Sequence, residues 1–235
     1  MKGRERIQSI DALRGLCVVL MCAHHLLYDL TEILDAPWVI FSNPVFDVLH
    51  TVFAGMFIML SGVSSRFSRS NVKRGIKVLV CAAVVSLVSW LMHSPIHFGG
   101  LHFLGTAMIF YGLTGKLWEK LPGPLLPICC VLLTAATSGL TSGKVTDIRW
   151  LWPFGIVYPG FFSGDYFPIF PWIFVFLFGT WLGAKIKEGR FPKRFYTVCP
   201  PLLPAIGRKA LIIYMLHQPV LYGLTLLAGK IFKII

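Results

Sequence analysis

The chain is poor in charged residues, and acidic residues are the scarcest of them. Only 14% of its 235 residues are charged, and 10 Asp and Glu stand against 22 Lys and Arg. Soluble globular domains carry charge at roughly a quarter of their positions, so this composition argues against a soluble domain. A disordered chain is also excluded, because 56% of the residues are hydrophobic.

Motifs of several common enzyme and channel classes are missing. The chain has no GxxxxGK[ST] phosphate loop, no GxGxxG turn, no HExxH motif and no GxSxG nucleophile elbow. Its six cysteines form no CxxC pair, and no His and Cys group has zinc-ligand spacing. We therefore expect no bound metal. The sequence also lacks a potassium filter and an inverted repeat of broken helices, which weakens a transporter interpretation.

Long apolar runs fill most of the chain. Each is about 20 residues long, enough for an α-helix to cross a bilayer, and their continuity favours helices over barrel strands. The seven runs are Ile10–Leu30, Pro44–Ser65, Lys77–Met92, Leu101–Leu117, Pro122–Leu140, Phe167–Ala184 and Ala210–Leu227. We predict an all-α, polytopic membrane helix bundle of about seven transmembrane helices, forming a single domain over residues 1–235.

The basic residues fall mostly on one side of these predicted spans. With the N-terminus in the cytoplasm, seventeen of the 22 Lys and Arg residues lie in cytoplasmic segments and four in outer segments, with Arg14 inside the first span. Cytoplasmic loops of membrane proteins are enriched in Lys and Arg. The net charge of +12 thus indicates orientation in a plasma (inner) membrane, with the C-terminus outside, and no nucleic-acid partner.

Ionisable residues inside apolar spans are functional candidates, because a bilayer makes them costly. Asp11 and Arg14 lie three residues apart in the first span and can pair on one helix face. The pair either locks the start of the helix or presents Arg14 to a phosphate or carboxylate arriving from the cytoplasm.

His25 and Asp29 lie four residues apart in the same span. A carboxylate that holds one imidazole nitrogen leaves the other available as a base. We predict that His25 is a general base oriented by Asp29. The alternative is that His25 only makes hydrogen bonds between packed helices, which is also how we interpret His50 in the second span.

Two other spans contain polar residues at special backbone positions. His217 and Gln218 precede Pro219, whose ring kinks a helix and frees a carbonyl, so they either line a cavity or satisfy the backbone. His102 stands among Gly99, Gly100 and Gly105 at the start of the fourth span, where glycine allows close helix contact or close ligand approach.

The outer connections carry acids and aromatic rings. Asp35 and Trp38 follow the first span, and Asp165 and Tyr166 end the longer segment Thr141–Tyr166. We expect that longer segment to fold back onto the bundle, as an interfacial aromatic belt or as a cavity wall.

Five short segments, in order along the chain, resemble one family. They are Arg6–Gly15, Phe57–Gly62, Gly99–Gly105, Asp165–Trp172 and Gly207–Pro219. The first, RIQSIDALRG, is similar to the opening R-x-x-S-[IV]-D-x-[LF]-R-G of the transmembrane acyltransferase superfamily. Together the segments resemble its bacterial branch related to heparan-α-glucosaminide N-acetyltransferase.

The resemblance implies an enzyme that takes an acetyl or other acyl group from cytoplasmic acyl-CoA. The acceptor would be a sugar or glycan-type molecule on the outer side of the membrane. On this basis we assign Asp11, Arg14, His102, His217 and Gln218 to binding of the acyl-CoA donor, and Asp35, Trp38, Asp165 and Tyr166 to the carbohydrate-type acceptor.

The chain departs from the family at the catalytic histidine. The better-known lysosomal member carries that histidine in the first outer loop, shortly before a tryptophan. Here Asp35 stands near that place before Trp38, and no histidine lies between His25 and His50. The base is then another histidine, Asp35, or absent, and we assign it to His25. Direct transfer and transfer through an acyl-histidine both stay open.

Two other classes of function remain. A proton-coupled transporter or flippase of a small polar or lipid-linked solute would use the intramembrane His and Asp residues as a proton relay. A structural subunit of an envelope complex is the third class. The sequence also leaves the acceptor, the acyl chain and a homo-oligomeric state open.

Overall fold

A computed structural model of the protein describes residues 7–37, 43–198 and 201–232. Helices stand at every predicted span, with short helices between the last two. Their bounds are α1 Gln8–Leu34, α2 Pro44–Ser65, α3 Asn71–Leu91, α4 Gly100–Trp118, α5 Leu125–Thr141, α6 Ile169–Lys187, α7 Lys193–Thr197, α8 Leu203–Arg208 and α9 Ala210–Ile231. A 3₁₀ helix, Arg149–Phe154, lies between α5 and α6.

Five helices of the described ranges, α1, α2, α3, α6 and α9, are long and apolar enough to cross a membrane. Helix α5 is a shorter apolar helix of 17 residues. Large apolar side chains such as Leu87, Leu132 and Leu216 are exposed on these helices, as expected where helices contact lipid. The prediction of an all-helical, multi-pass membrane protein is confirmed. The count of seven spans and the orientation of the termini stay predictions.

The chain forms two compact units. The first unit comprises residues 1–57 and 191–235, and the second comprises residues 58–190. The first contains α1, the beginning of α2, and α7 to α9. The second contains the rest of α2, α3 to α6 and the 3₁₀ helix. The single domain expected from the sequence stays a prediction.

In the first unit, α1 packs closely against α8 and α9. A Cβ atom on Gly207 would stand 1.8 Å from the carbonyl oxygen of Asp11, and one on Gly15 would stand 2.1 Å from that of Leu203. Only glycine allows this backbone-to-backbone approach. The first and last segments that resemble the acyltransferase family therefore pack against each other.

In the second unit, α3 packs on α4, and α5 packs on α6. A Cβ atom on Gly75 would lie 2.7 Å from the carbonyl oxygen of Gly105. Of the two explanations for Gly105, close helix contact is therefore the one found.

The long segment before α6 folds back within the second unit. The Val157 amide donates to the Lys144 carbonyl at 3.1 Å, and the Phe167 amide donates to the Phe98 carbonyl at 2.8 Å. The Tyr166 hydroxyl donates to the Trp152 carbonyl. Burial raises the pKa of Tyr166 to about 12, since a phenolate loses hydration there.

Candidate active site

Asp29 is the most buried acid of the first unit, with 2% of its surface exposed. Gln218 Nε2 of α9 donates to Asp29 Oδ1 of α1 at 2.7 Å, so one hydrogen bond joins the two helices. The other two oxygens, Asp29 Oδ2 and Gln218 Oε1, are buried and have no hydrogen-bond partner among the described residues. Two buried acceptors without donors are costly to folding, so they mark a place where a donor group is missing.

Two histidines lie beside this pair of oxygens along their helices, and each is held by its own helix. His25 Nδ1 is 2.9 Å from the Met21 carbonyl oxygen, and His217 Nδ1 is 2.8 Å from that of Tyr214. A carbonyl oxygen only accepts, so Nδ1 carries the hydrogen in both rings and the basic lone pair of each neutral ring is on Nε2. The rings meet edge to face, with centroids 4.7 Å apart.

These hydrogen bonds differ from the pairing that the spacing predicted. Asp29 binds Gln218 instead of His25, and the His25 ring turns back to the carbonyl four residues earlier. Helical side chains point toward the helix N-terminus, which brings His25 to Met21 and not to the later Asp29. His25 is therefore oriented by its own backbone, and the catalytic roles of both residues stay predictions.

A second pair of histidines continues from this site in the first unit. His24 stacks on His50 with ring centroids 4.5 Å apart, and its ring is 5.8 Å from that of His25. Phe53 lies edge-on to both stacked rings. The sequence predicted that His50 makes hydrogen bonds between packed helices; the structure shows it stacked on another histidine, and its hydrogen bonding stays a prediction. His24 was not predicted as its partner, although both residues lie in the predicted outer halves of their spans.

The predicted pair at the start of α1 is present. Arg14 Nη1 binds Asp11 Oδ1 at 2.7 Å, and the two side chains are mostly buried. Because the same turn of α1 packs on α8, this contact supports a role in fixing the helix start. Binding of a donor phosphate by Arg14 stays a prediction.

In the second unit, Asp165 and His102 hydrogen-bond within the fold. Asp165 Oδ2 accepts from the Gly100 amide at 2.9 Å and so caps α4. His102 Nε2 is 3.1 Å from the Ser86 hydroxyl oxygen. That hydroxyl donates to the Ile96 carbonyl at 2.7 Å, so His102 Nε2 must be the donor to Ser86. The sequence had grouped His102 with His217, but they belong to different units.

The remaining acceptor candidates lie apart from these groups or outside the described residues. Asp35 is exposed and ends α1 in a left-handed conformation with φ of 51°. Trp38 lies outside the described residues. Within those residues, no group of three or more His, Cys, Asp or Glu side chains could hold a metal ion.

The second unit contains a cavity of about 150 Å³ that was not predicted from the sequence. Arg66 follows α2 directly, and its Nη1 donates to the Tyr111 hydroxyl at 2.8 Å and also to Glu119. Sequence reasoning counted Arg66 and Lys185 only as orientation charges. The sequence signal that could have indicated the cavity is the presence of Tyr111 and Trp118 in α4 and Trp181 in α6, close along the chain to charged residues. The cavity is lined by Arg66, Tyr111, Trp118, Glu119, Trp181 and Lys185, among others.

Comparison with known proteins identifies the family. A family model described as heparan-alpha-glucosaminide N-acetyltransferase, catalytic, matches residues 6–219. No curated protein matches the chain, and no solved structure matches it. The matched range includes all five segments in which the sequence resembles that branch of the acyltransferases. The chain therefore belongs to the family of the heparan-α-glucosaminide N-acetyltransferase catalytic domain.

Proposed function

We propose that the protein is a membrane acetyltransferase that carries out transfer at His25, Asp29, His217 and Gln218. Family membership supports acetyl transfer. The observation that carries the site is the pair of buried oxygens, Asp29 Oδ2 and Gln218 Oε1, that lack donors among the described residues. A hydroxyl or amino group of an acceptor has the hydrogens that these oxygens need.

In the proposed reaction, Asp29 and Gln218 hold the acceptor while His25 Nε2 takes a proton from its attacking O–H or N–H group. The acceptor oxygen or nitrogen bonds to the acyl carbon, and the bond from that carbon to sulfur breaks. The thiolate leaves and takes up the proton held by the His25 imidazolium, which returns His25 to its neutral form and gives the free thiol. His217 packs against the His25 ring and limits its rotation.

The donor in this proposal is acetyl-CoA or another acyl-CoA from the cytoplasm. The acceptor is a sugar or glycan-type molecule on the outer side of a plasma membrane. The excess of basic residues in the predicted cytoplasmic segments favours approach of an anionic donor. Exposed Asp35 stays a proposed acceptor contact. The hydrogen bonds of Asp165 and Tyr166 favour roles in positioning for these two residues. The family match does not favour the transporter alternative.

The test compares His25→Gln with His93→Gln in purified protein supplied with acetyl-CoA and amino sugars, with release of free thiol as the readout. His93 is exposed and lies outside the proposed site. We expect His25→Gln to lower the turnover rate by about 10²–10⁴-fold, the usual contribution of a general base, and His93→Gln to match the parent protein. Equal rates in both variants would remove His25 from its role.

A further inference from the structure

We propose that the cavity of the second unit binds a nucleoside diphosphate, with the diphosphate at Arg66, Tyr111 and Lys185 and the base against a tryptophan. The ligand class coincides with the nucleotide part of the donor, so to that extent the inference rests on the proposed function. All of the residues that form this cavity lie within residues 58–190.

Hydrogen-bond donors on the cavity wall outnumber the acceptors available to them. Arg66 uses only Nη1, toward Tyr111 and Glu119, and the hydrogens on its Nε and Nη2 have no acceptor within the described ranges. Tyr111 is 5% exposed. Its hydroxyl accepts from Arg66, while its own hydrogen likewise has no acceptor among those residues. Lys185 contributes one of its three hydrogens, to Glu188 at 3.1 Å. Unused donors of this kind bind phosphate oxygens.

The cationic side chains lie deeper than the carboxylates that pair with them. The side chains of Arg66 and Lys185 are 21% and 23% exposed, whereas those of Glu119 and Glu188 are 53% and 45% exposed. An anion that enters the cavity therefore meets guanidinium and ammonium groups beyond a rim of carboxylates. Glu119 competes with that anion for Arg66, and its removal should strengthen binding.

Two tryptophans make the cavity suitable for a flat base. Trp118 Nε1 donates to Thr114 Oγ1 at 2.8 Å, and Trp181 Nε1 donates to the Gly123 carbonyl at 3.0 Å. These bonds occupy one edge of each ring, and tilted contacts with Phe110 and Phe178 hold the rings in place. An aromatic ring at the wall of a cavity is suited to stacking with a nucleic-acid base. The cavity volume of about 150 Å³ is many times the space that one buried water needs, so the cavity has room for a polar group beside Arg66 and Lys185.

The test measures equilibrium binding of ADP to the full chain in phosphatidylcholine nanodiscs, without an acyl donor. We expect saturable binding that Arg66→Ala weakens at least tenfold, Arg66→Lys weakens less, and Glu119→Gln strengthens several-fold. Arg69→Ala is the matched control, because Arg69 is exposed, carries the same charge and does not line the cavity. Tyr111→Phe removes one donor without changing the charge, and melting curves without nucleotide show whether each variant is folded.

Several outcomes would overturn the inference. The first is the absence of ADP binding to the parent protein, and the second is equal affinities of Arg66→Ala and Arg69→Ala. In a second arm, phosphatidylglycerol replaces part of the phosphatidylcholine. If the anionic lipid abolishes ADP binding at a fixed ionic strength, and Arg66→Ala reduces lipid retention, the phosphate belongs to a lipid and the nucleotide assignment is wrong.

Failure of the proposed function can be separated from failure of this inference. His25→Gln changes only the first unit and should leave ADP affinity unchanged. Tight ADP binding in a protein that transfers no acyl group would contradict the proposed function alone. Acyl transfer with no dependence on Arg66 would contradict the nucleotide site alone.

Discussion

The two units hold opposite imbalances of hydrogen-bonding groups. Among the described residues of the first unit, Asp29 Oδ2 and Gln218 Oε1 lack donors. Among those of the second unit, the hydrogens of Arg66, Tyr111 and Lys185 exceed the acceptors that they contact. Buried polar groups are normally paired, so the imbalance in the first unit indicates a missing donor. The cations of the second unit are only partly buried, and their remaining N–H groups can bind an anion. The first unit suits a hydroxyl or amine, and the second suits an anion. The proposed acetyl transfer from a CoA thioester to a sugar would use one substrate of each kind.

The largest effect is expected from a variant that supplies the missing hydrogen-bond donor in the first unit. Asp29→Asn replaces a carboxylate with an amide whose N–H groups can donate to Gln218 Oε1. We expect acyl transfer to fall by about 10–150-fold, because a hydrogen bond to a charged acceptor contributes about 1.5–3 kcal/mol and that acceptor is lost. Thermal stability should be unchanged or raised, because a buried charge and an unpaired oxygen are removed together.

Melting temperature and turnover of Asp29→Asn should therefore move independently or in opposite directions. Gln218→Glu is the companion variant. It places a second carboxylate beside Asp29, and we expect it to lose both activity and stability. If Asp29→Asn loses activity only in proportion to its unfolded fraction, Asp29 has a structural role and no direct one.

A smaller effect is expected from a change in the helix packing of the first unit. Gly207→Ala places a Cβ 1.8 Å from the Asp11 carbonyl oxygen, whereas Gly223→Ala meets nothing within 4 Å. Because backbone must shift, we expect Gly207→Ala to lower the free energy of unfolding by about 1–3 kcal/mol. Gly223→Ala should be neutral or slightly stabilising, because alanine favours helix.

Both glycines lie in the first unit, so Gly207→Ala should reduce acyl transfer while the ADP affinity of the second unit persists. Circular dichroism melting in detergent and the ADP titration measure the two effects on one sample. Loss of ADP binding in folded Gly207→Ala protein would show that the two imbalances are not independent.

The positions of the helices could be predicted from the sequence because the information is local. A run such as Ala210–Leu227 is apolar except for a few residues such as His217 and Gln218, and α9 covers it. The contact between Asp11 and Arg14 was likewise predictable, because three residues separate them on one helix. Local spacing predicted His25 as the partner of Asp29, but Asp29 binds Gln218. A side chain four residues away competes for Asp29 with polar groups on neighbouring helices.

Contacts between distant segments were beyond the reach of such spacing. Gln218 and Asp29 are 189 positions apart, and Arg66 and Tyr111 are 45 positions apart. Both pairings follow from helix packing, which in the first unit depends on glycines such as Gly15 and Gly207. The sequence showed these glycines within family-like segments, but it could not show which backbone each one approaches.

The smallest predicted effect concerns Tyr166 in the second unit and depends on pH. Burial raises the pKa of Tyr166 from about 10 to about 12, so the unfolded chain loses this proton at a lower pH than the folded chain. Its contribution to stability is complete below pH 10 and is lost as the pH rises toward 12.

Tyr166→Phe removes this titration and also the hydrogen bond to the Trp152 carbonyl. We therefore expect the variant to be less stable than the parent at neutral pH and the difference to shrink at alkaline pH. Paired melting curves measure that difference and cancel the titration of other groups. A difference that is constant with pH would mean that the Tyr166 hydroxyl is not protected from water, and the fold-back segment would then be a poor cavity wall.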